Sequence, residues 1–352
     1  MTVRWLLPVL ALCACTAKHH RPSEEDWKEV RNTHARCFAV QWRDNERRIL
    51  VFGPGGRTDT LSNVNLPVRT TRMAVLSTTH VPYLLALGST DHLVGVAHGA
   101  SVRDTNVTTR LADGRIVELL RGDRLDHEAL LGARVDLLFD QPFGRSDLTS
   151  RVEGPRHVMI TEYLEEHPLG RSEWIRAFGA ILGQEAMADS IHASIVARYE
   201  AASRVIGSIG SRPSVFYGSA WQGRFHGASS HSLMAQLVRD AGGTYWSGSN
   251  GPNSNVTLDL EGFLAVADTL DHVGMALEMD HPPDALDLVG GERRIAAAPG
   301  IVRGGFYGNS GTSDLFGRAL LEPDVMLSDL ILILHPELPI DHRPTYFHRL
   351  DQ

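Results

Sequence analysis

Cysteine is scarce: the 352 residues contain three, Cys13, Cys15 and Cys37. That is too few for a disulfide framework or a cysteine zinc site. Basic charge is in deficit, with 34 Lys+Arg against 42 Asp+Glu and a net charge of −8. Phosphate binding needs a dense positive surface, so this balance argues against a nucleic-acid partner. Long apolar runs are missing too, and none approaches the roughly 20 residues of a membrane-spanning helix. There is no short-period repeat and no low-complexity tract. What is present is ordinary globular usage, 43% hydrophobic and 22% charged, which excludes wholesale disorder. The length suits two or three domains, each with room for a core.

Enzyme signatures fail at the residue that matters. His127-Glu128-Ala129-Leu130-Leu131 begins like a zincin helix, but Leu131 stands where the second histidine belongs. Gly308-Asn309-Ser310-Gly311-Thr312 has Thr312 in place of the final glycine of a nucleophile elbow. Gly53-Pro54-Gly55-Gly56 lacks the Lys-Ser/Thr of a phosphate loop. No acid–base or nucleophile pair is set by spacing. The chain is therefore expected not to be an enzyme. A surface α/β hydrolase is the one enzyme class that its scattered Ser, His and Asp residues permit.

The first residues read as an export signal. Arg4 precedes the apolar Trp5–Leu12, and Leu12-Cys13-Ala14-Cys15 closes the segment like a bacterial lipobox, with Cys15 as the lipidated residue. Residues 1–15 are then a lipoprotein signal and 16–25 a polar tether. Each buried CH₂ of an acyl chain contributes about 0.8 kcal/mol, so two or three chains hold a protein firmly to a membrane.

Residues 26–71 form an N-terminal extension with strand patterns at Phe38–Trp42 and Ile49–Phe52 and a turn at Gly53-Pro54-Gly55-Gly56. From Arg72, short apolar runs alternate with helical patterns. The runs are Met73–Leu76, Leu93–Val96, Ile116–Leu120, Val135–Phe139 and His157–Ile160; helices are expected over Val81–Leu87 and near His127–Ala133. Such alternation implies parallel strands in an open α/β sheet. Ser172 reads as the cap of a helix ending at Gly183. Gln184–Ile206 then runs 23 residues without Gly or Pro. Ala188, Ile191, Ile195, Tyr199, Ala202 and Ile206 make one stripe along it, and the rod would be about 35 Å long. A second α/β series follows, with strands at Ser214–Tyr217, His272–Leu277 and Ile301–Phe306. Its helices are Ser232–Arg239, Leu260–Ala267 and Leu315–Leu334, the last interrupted by Pro323. The expected organisation is a lobe over 26–183, a connecting helix over 184–207 and a second lobe over 208–352.

These residues resemble a known family. Met73-Ala74-Val75-Leu76-Ser77 with Leu84-Leu85-Ala86-Leu87-Gly88 and Leu93-Val94-Gly95-Val96 is similar to the opening of periplasmic binding proteins for cobalamin and iron–siderophore complexes. Leu125–Leu130 with Val135–Leu138, Leu237–Gly243, Leu258–Glu261, Glu166–Ile175, Leu321–Asp324 and Ile333–Pro339 fit in the same order. The resemblance covers roughly Arg72–Leu350. It implies two Rossmann-like lobes with mostly parallel sheets, joined by one rigid helix, with the ligand gripped between them. It further implies a substrate-binding lipoprotein of an ABC importer, working as a monomer with a membrane permease and its ATPase, in the periplasm or at the surface of a bacterial membrane. The ligand would be an iron–siderophore complex or a corrinoid that carries its own Fe or Co, so the protein needs no cofactor or direct metal. A haem-binding member of the same fold is the alternative.

Ligands of such sheets sit beyond the C-terminal strand ends, and bulky chelates need aromatic walls with a few directed polar groups. The first-lobe candidates are Ser77, Thr79, His80, His98, Gln141, Phe143 and Tyr163. The second-lobe candidates are Tyr217, Trp221, Arg224 and His226, in an expected glycine-rich loop, with Tyr245, Trp246 and Tyr307 behind them. Glu128 matches the acidic residue that, in the family, docks on permease arginines. In the second lobe Arg239 occupies the corresponding place, with Asp240 beside it as the substitute.

Overall fold

Five short runs of apolar residues build the first-lobe sheet. In spatial order they are Arg156–Met159, Leu137–Asp140, Met73–Val75, Leu93–Val96 and Val117–Glu118, all parallel. The central three are buried along their whole length, because helices and connecting segments cover both faces of a parallel sheet. The order reverses between Met73–Val75 and Leu137–Asp140, which makes that seam the switch point where ligands of such sheets collect. The structure is a computed structural model describing residues 27–68, 70–122, 124–142, 154–248 and 254–350. The signal segment with Cys15, the tether 16–25 and Phe143 lie outside the described residues.

The second lobe has its own mixed sheet, ordered Val256–Leu258, Arg224–Gly227, Ser214–Trp221, His272–Leu277, Gly305–Asn309 and Phe347–Arg349, with Thr244–Tyr245 beside Ser214. Its middle three strands are parallel and its flanks antiparallel. The loop expected after Tyr217 is instead a hairpin. Ser214–Trp221 continues for eight residues, turns at Gln222-Gly223 and returns as Arg224–Gly227. Both turn residues have positive φ, 50° and 70°, the two-residue turn that matches strand twist.

Helix boundaries also shift. The helix before the long one spans Pro168–Leu182, with Pro168 in its first turn and His167 as cap, its Nδ1 accepting the Leu169 N–H at 3.1 Å. Ser172, expected as the cap, is interior and donates to the Leu169 carbonyl. The long helix is Glu185–Ser203, 19 residues, tightening to a 3₁₀ turn over Arg204–Ser208, so its α-helical part is about 29 Å. It packs against Pro168–Leu182 on one side and Pro323–Leu334 on the other. Pro323 begins that last helix instead of interrupting a longer one.

The N-terminal extension is a four-stranded antiparallel sheet, Lys28–Val30, Phe38–Arg43, Glu46–Gly53 and Gly56–Asn65. Phe38, Val40, Ile49 and Val51 join the first-lobe core with Trp174 and Phe178, and the Phe38 and Trp174 rings lie 4.9 Å apart. The loop before Phe38 is held by two buried carboxylates. Glu173 accepts the N–H groups of Thr33, His34 and Ala35 at 2.9, 2.7 and 2.8 Å. Glu165 accepts those of Arg36 and Cys37 and the Trp174 indole N–H.

Burial would raise the Glu173 carboxyl, but these three N–H donors and nearby His192 outweigh it and hold the group below its ordinary value. A depressed carboxyl adds stability that is present above the unfolded value and disappears as pH falls through the folded one. Glu173→Gln should therefore cost about 2–3 kcal/mol at pH 7, since it leaves buried N–H groups facing an amide. That cost should shrink in urea unfolding below about pH 4.5. A pH-independent cost would contradict the charge-based account.

Candidate ligand cleft

Loops at the C-terminal ends of both central sheets face each other across a cleft of about 750 Å³. The first lobe contributes Leu76–Thr79 after Met73–Val75, His98 after Leu93–Val96, Asp140 and Gln141 at the end of Leu137–Asp140, and Tyr163. The second contributes Glu278, after His272–Leu277, and Ser310, Ser313, Asp314 and Phe316, after Gly305–Asn309. A groove of about 840 Å³ adjoins it, sharing Thr78, Arg103, Asp314 and Gly317 and reaching the long helix at Ile191, Ser194 and Ile195. Arg103 spans the lobes, its Nη2 donating to the Ser310 carbonyl at 3.3 Å.

Local geometry sets these side chains. His98 has φ 57°, and its N–H and that of Gly99 both donate to the Glu118 carboxylate, at 3.1 and 2.6 Å. That tight turn leaves the imidazole exposed at the cleft. Ser77 caps the next turn by accepting the Thr79 N–H, and the Thr79 hydroxyl donates to Glu162 at 2.6 Å. Opposite, Asn309 is buried and shapes the rim. Its Oδ1 accepts the Met279 and Gly311 N–H groups and its Nδ2 donates to the His281 carbonyl. A Cβ on Gly311 would sit 1.9 Å from the Met279 carbonyl oxygen, so this approach requires glycine.

Of the first-lobe candidates, Ser77, Thr79, His98, Gln141 and Tyr163 line the cleft. His80 does not. It is fully buried below the rim, 6.1 Å from the Phe178 ring and 3.8 Å from Glu162 Oε2, with both ring nitrogens unpaired. None of the second-lobe candidates lines the cleft: hairpin strands carry Tyr217, Trp221, Arg224 and His226, and other strands and packing hold Tyr245, Trp246 and Tyr307. Tyr217 stacks on Phe306 at 5.9 Å in the core. Tyr245 donates to the Tyr217 and Ala228 carbonyls, and Trp246 packs on Phe216. Tyr307 stacks on His348, and His226 meets Thr257 at 3.2 Å. Trp221 and Arg224 flank the exposed hairpin turn. Asp240 is likewise spent internally, accepting the Tyr199 hydroxyl at 2.7 Å and the Gln236 amide at 2.8 Å. Arg103, Glu278, Ser310, Ser313, Asp314 and Phe316 were not anticipated. Their signal was positional only in part. Glu278 follows the expected strand His272–Leu277, whereas the others except Arg103 follow Gly305–Asn309, because Pro299–Gly304, overlapping the strand expected at Ile301–Phe306, is helical.

Residues 73–268, more than half of the chain, match the periplasmic binding protein family. The chain belongs to that family. An uncharacterized lipoprotein of Methanocaldococcus jannaschii is 24% identical over 136 residues, which is 36% of this chain and 32% of the relative. The chain thus matches about a third of that relative's length. A periplasmic heme binding protein from Pseudomonas aeruginosa superposes with a TM-score of 0.63 at 16% identity, covering 81% of this chain and 99% of the other. An Fe3+-hydroxamate transport protein from Saccharomonospora viridis gives 0.57 at 15%, covering 76% and 96%. Helicobacter pylori CeuE in a nickel–histidine complex gives 0.60 at 13%, covering 83% and 89%. At these identities the likeness establishes the two-lobed α/β fold.

Burial lowers the affinity of His80 for protons, and Glu162 and Asp140 only partly oppose it. A histidine depressed in the native state stabilises above the unfolded value of about 6.5, and that stability is lost as pH falls, because the unfolded chain binds protons the native one refuses. Native His167, His192 and His272 are depressed in the same direction. Stability measured by urea unfolding should fall between pH 7.5 and 5.5, and His80→Leu should flatten that slope; an unchanged slope would mean His80 is protonated in the fold.

Proposed function

We propose that this periplasmic binding protein captures a metal chelate, an iron–siderophore complex or a corrinoid, between its lobes and delivers it to the permease of an ABC importer. The observation that carries this reading is the cleft at the sheet's switch point, walled by rim loops of both lobes. Within it Phe316 is 51% exposed and Tyr163 lies on the opposite lobe, so a flat apolar guest meets an aromatic face from each side. The heme-binding protein and the Fe3+-hydroxamate transport protein that share its fold handle ligands of the same class. Haem is the second reading, because His98 and Tyr163 both line the cleft and either side chain can serve as an axial donor. The long helix packs against both lobes, so closure on the guest is small. Energy comes from the importer's ATPase, and the protein acts as a monomer without enzymatic turnover.

Glu128 stands exposed in the first turn of His127–Gly132, a helix capped by Asp126, and supplies the first-lobe contact with permease arginines. Cys15 carries the lipid that keeps the protein at an extracytoplasmic membrane face.

Co-elution of visible absorbance with the protein after incubation with ferric hydroxamate, cyanocobalamin or haemin tests the reading. One of them should bind, and Phe316→Ala should weaken it about tenfold, or 1.4 kcal/mol. Trp221→Ala should leave affinity unchanged. Failure of all three ligands would remove the chelate reading, and an equal loss on Trp221→Ala would move the site to the hairpin. Separately, Cys15→Ser should shift the protein from the membrane fraction to the soluble one when cells are fractionated.

A further inference from the structure

Away from the cleft, three elements converge on a buried polar cluster. His34 lies in the loop before Phe38, Glu173 on the helix Pro168–Leu182, and His192 on the long helix Glu185–Ser203. One ligating atom from each lies within 4.8 Å of the other two. His192 is 6% exposed and Glu173 fully buried. His34 Nδ1 and His192 Nε2 are buried with no hydrogen-bond partner. Leaving such a nitrogen unpaired and buried is costly, and two of them beside one carboxylate call for a shared partner.

We propose that His34, His192 and Glu173 form a zinc-type divalent metal site that fastens the N-terminal extension to the long helix. His192 Nε2 is buried and has no hydrogen-bond partner, so its ring nitrogen is open to a metal without breaking a bond. Glu173 Oε1 is occupied by the Thr33 N–H and by Arg176 Nη1 at 2.8 Å. Arg176 also donates through Nε to Asp189 at 2.7 Å, so it keeps an ion pair when it yields Oε1 to a cation. Two imidazoles, one carboxylate and a water make a four-coordinate set. Bonds of about 2.0–2.1 Å place tetrahedral ligand atoms roughly 3.4 Å apart, so the cluster must contract. His34, half-buried on a loop, is the member that moves. Its ring stacks on His167 at 5.3 Å, which guides it without occupying Nδ1. The site goes beyond chelate capture and does not depend on it.

The full chain, stripped with a chelator and free of chelate ligand, is titrated with Co²⁺ and then Zn²⁺. The expected result is one equivalent bound, a visible band of four-coordinate cobalt that zinc abolishes, and a higher Tm with zinc. His34→Gln should remove the band and weaken zinc binding by about 100-fold or more, since loss of even an outer-shell partner typically costs about 10–100-fold. His192→Gln should do the same, and because it is more buried, His34→Gln keeps the test valid if His192→Gln fails to fold. Replacing His19 and His20 together by Ala should change nothing. No tight equivalent in the wild type, binding that survives His34→Gln, or binding lost with His19 and His20 would each overturn the proposal.

Discussion

Carboxylates placed inside the protein and surrounded by backbone N–H groups hold this molecule together at its seams. Glu173 and Glu165 receive five consecutive backbone amides of residues 33–37. Asp329, also fully buried, receives those of Thr345, Tyr346 and Phe347. Residues 33–37 reach a helix without a strand to pair with, and the carboxylates replace the missing ladder; Asp329 instead braces the approach to the strand Phe347–Arg349, which pairs with Gly305–Asn309. A buried carboxylate is costly unless hydrogen-bond donors meet its oxygens; here backbone N–H groups do so. Without these anchors the Phe38–Trp174 contact would lose its alignment. The helix Pro168–Leu182 would then lose the face on which Phe178 meets Tyr83 and Phe139, each at 4.8 Å. That aromatic stack underlies the rim carrying Ser77 and Thr79, so the cleft inherits its rigidity from bonds far behind it.

The lobes meet through few elements. The long helix lies between a helix of each lobe, Tyr199 on it is tied to Asp240 of the second lobe, and Arg198 pairs with Asp324 at 2.9 Å. A rod bonded to both partners resists bending more than a pair of extended strands would. Arg103 adds a single cross-cleft bond to Ser310. That arginine is exposed and can be displaced at small cost.

Much of this was legible in the sequence. Strand runs such as Met73–Leu76 and Leu93–Val96 were readable because parallel strands buried on both faces are uniformly apolar. The stretch after Gly183 marked the connecting helix by a different signal, an apolar stripe at helical spacing in a run free of Gly and Pro. The first-lobe rim followed from strand ends, and Ser77, Thr79, His98, Gln141 and Tyr163 all reached it. The second-lobe rim did not, because chemical type alone does not place Tyr217, Trp221 and Arg224. Their actual positions were decided by a hairpin whose turn, Gln222-Gly223, carries only half of the usual Asn-Gly signal. His80 failed for a different reason: one residue beyond Thr79, the start of a helix turned its side chain inward.

The cleft and the groove beside it share Thr78, Arg103, Asp314 and Gly317 in their linings, so the two spaces adjoin. A bulky molecule settling into a dead-end pocket must drive solvent back past its own body, which slows the final approach. Here the adjoining groove runs on to Ile191 and Ile195 of the long helix. A molecule held in the cleft would therefore have open space beside it along the long helix.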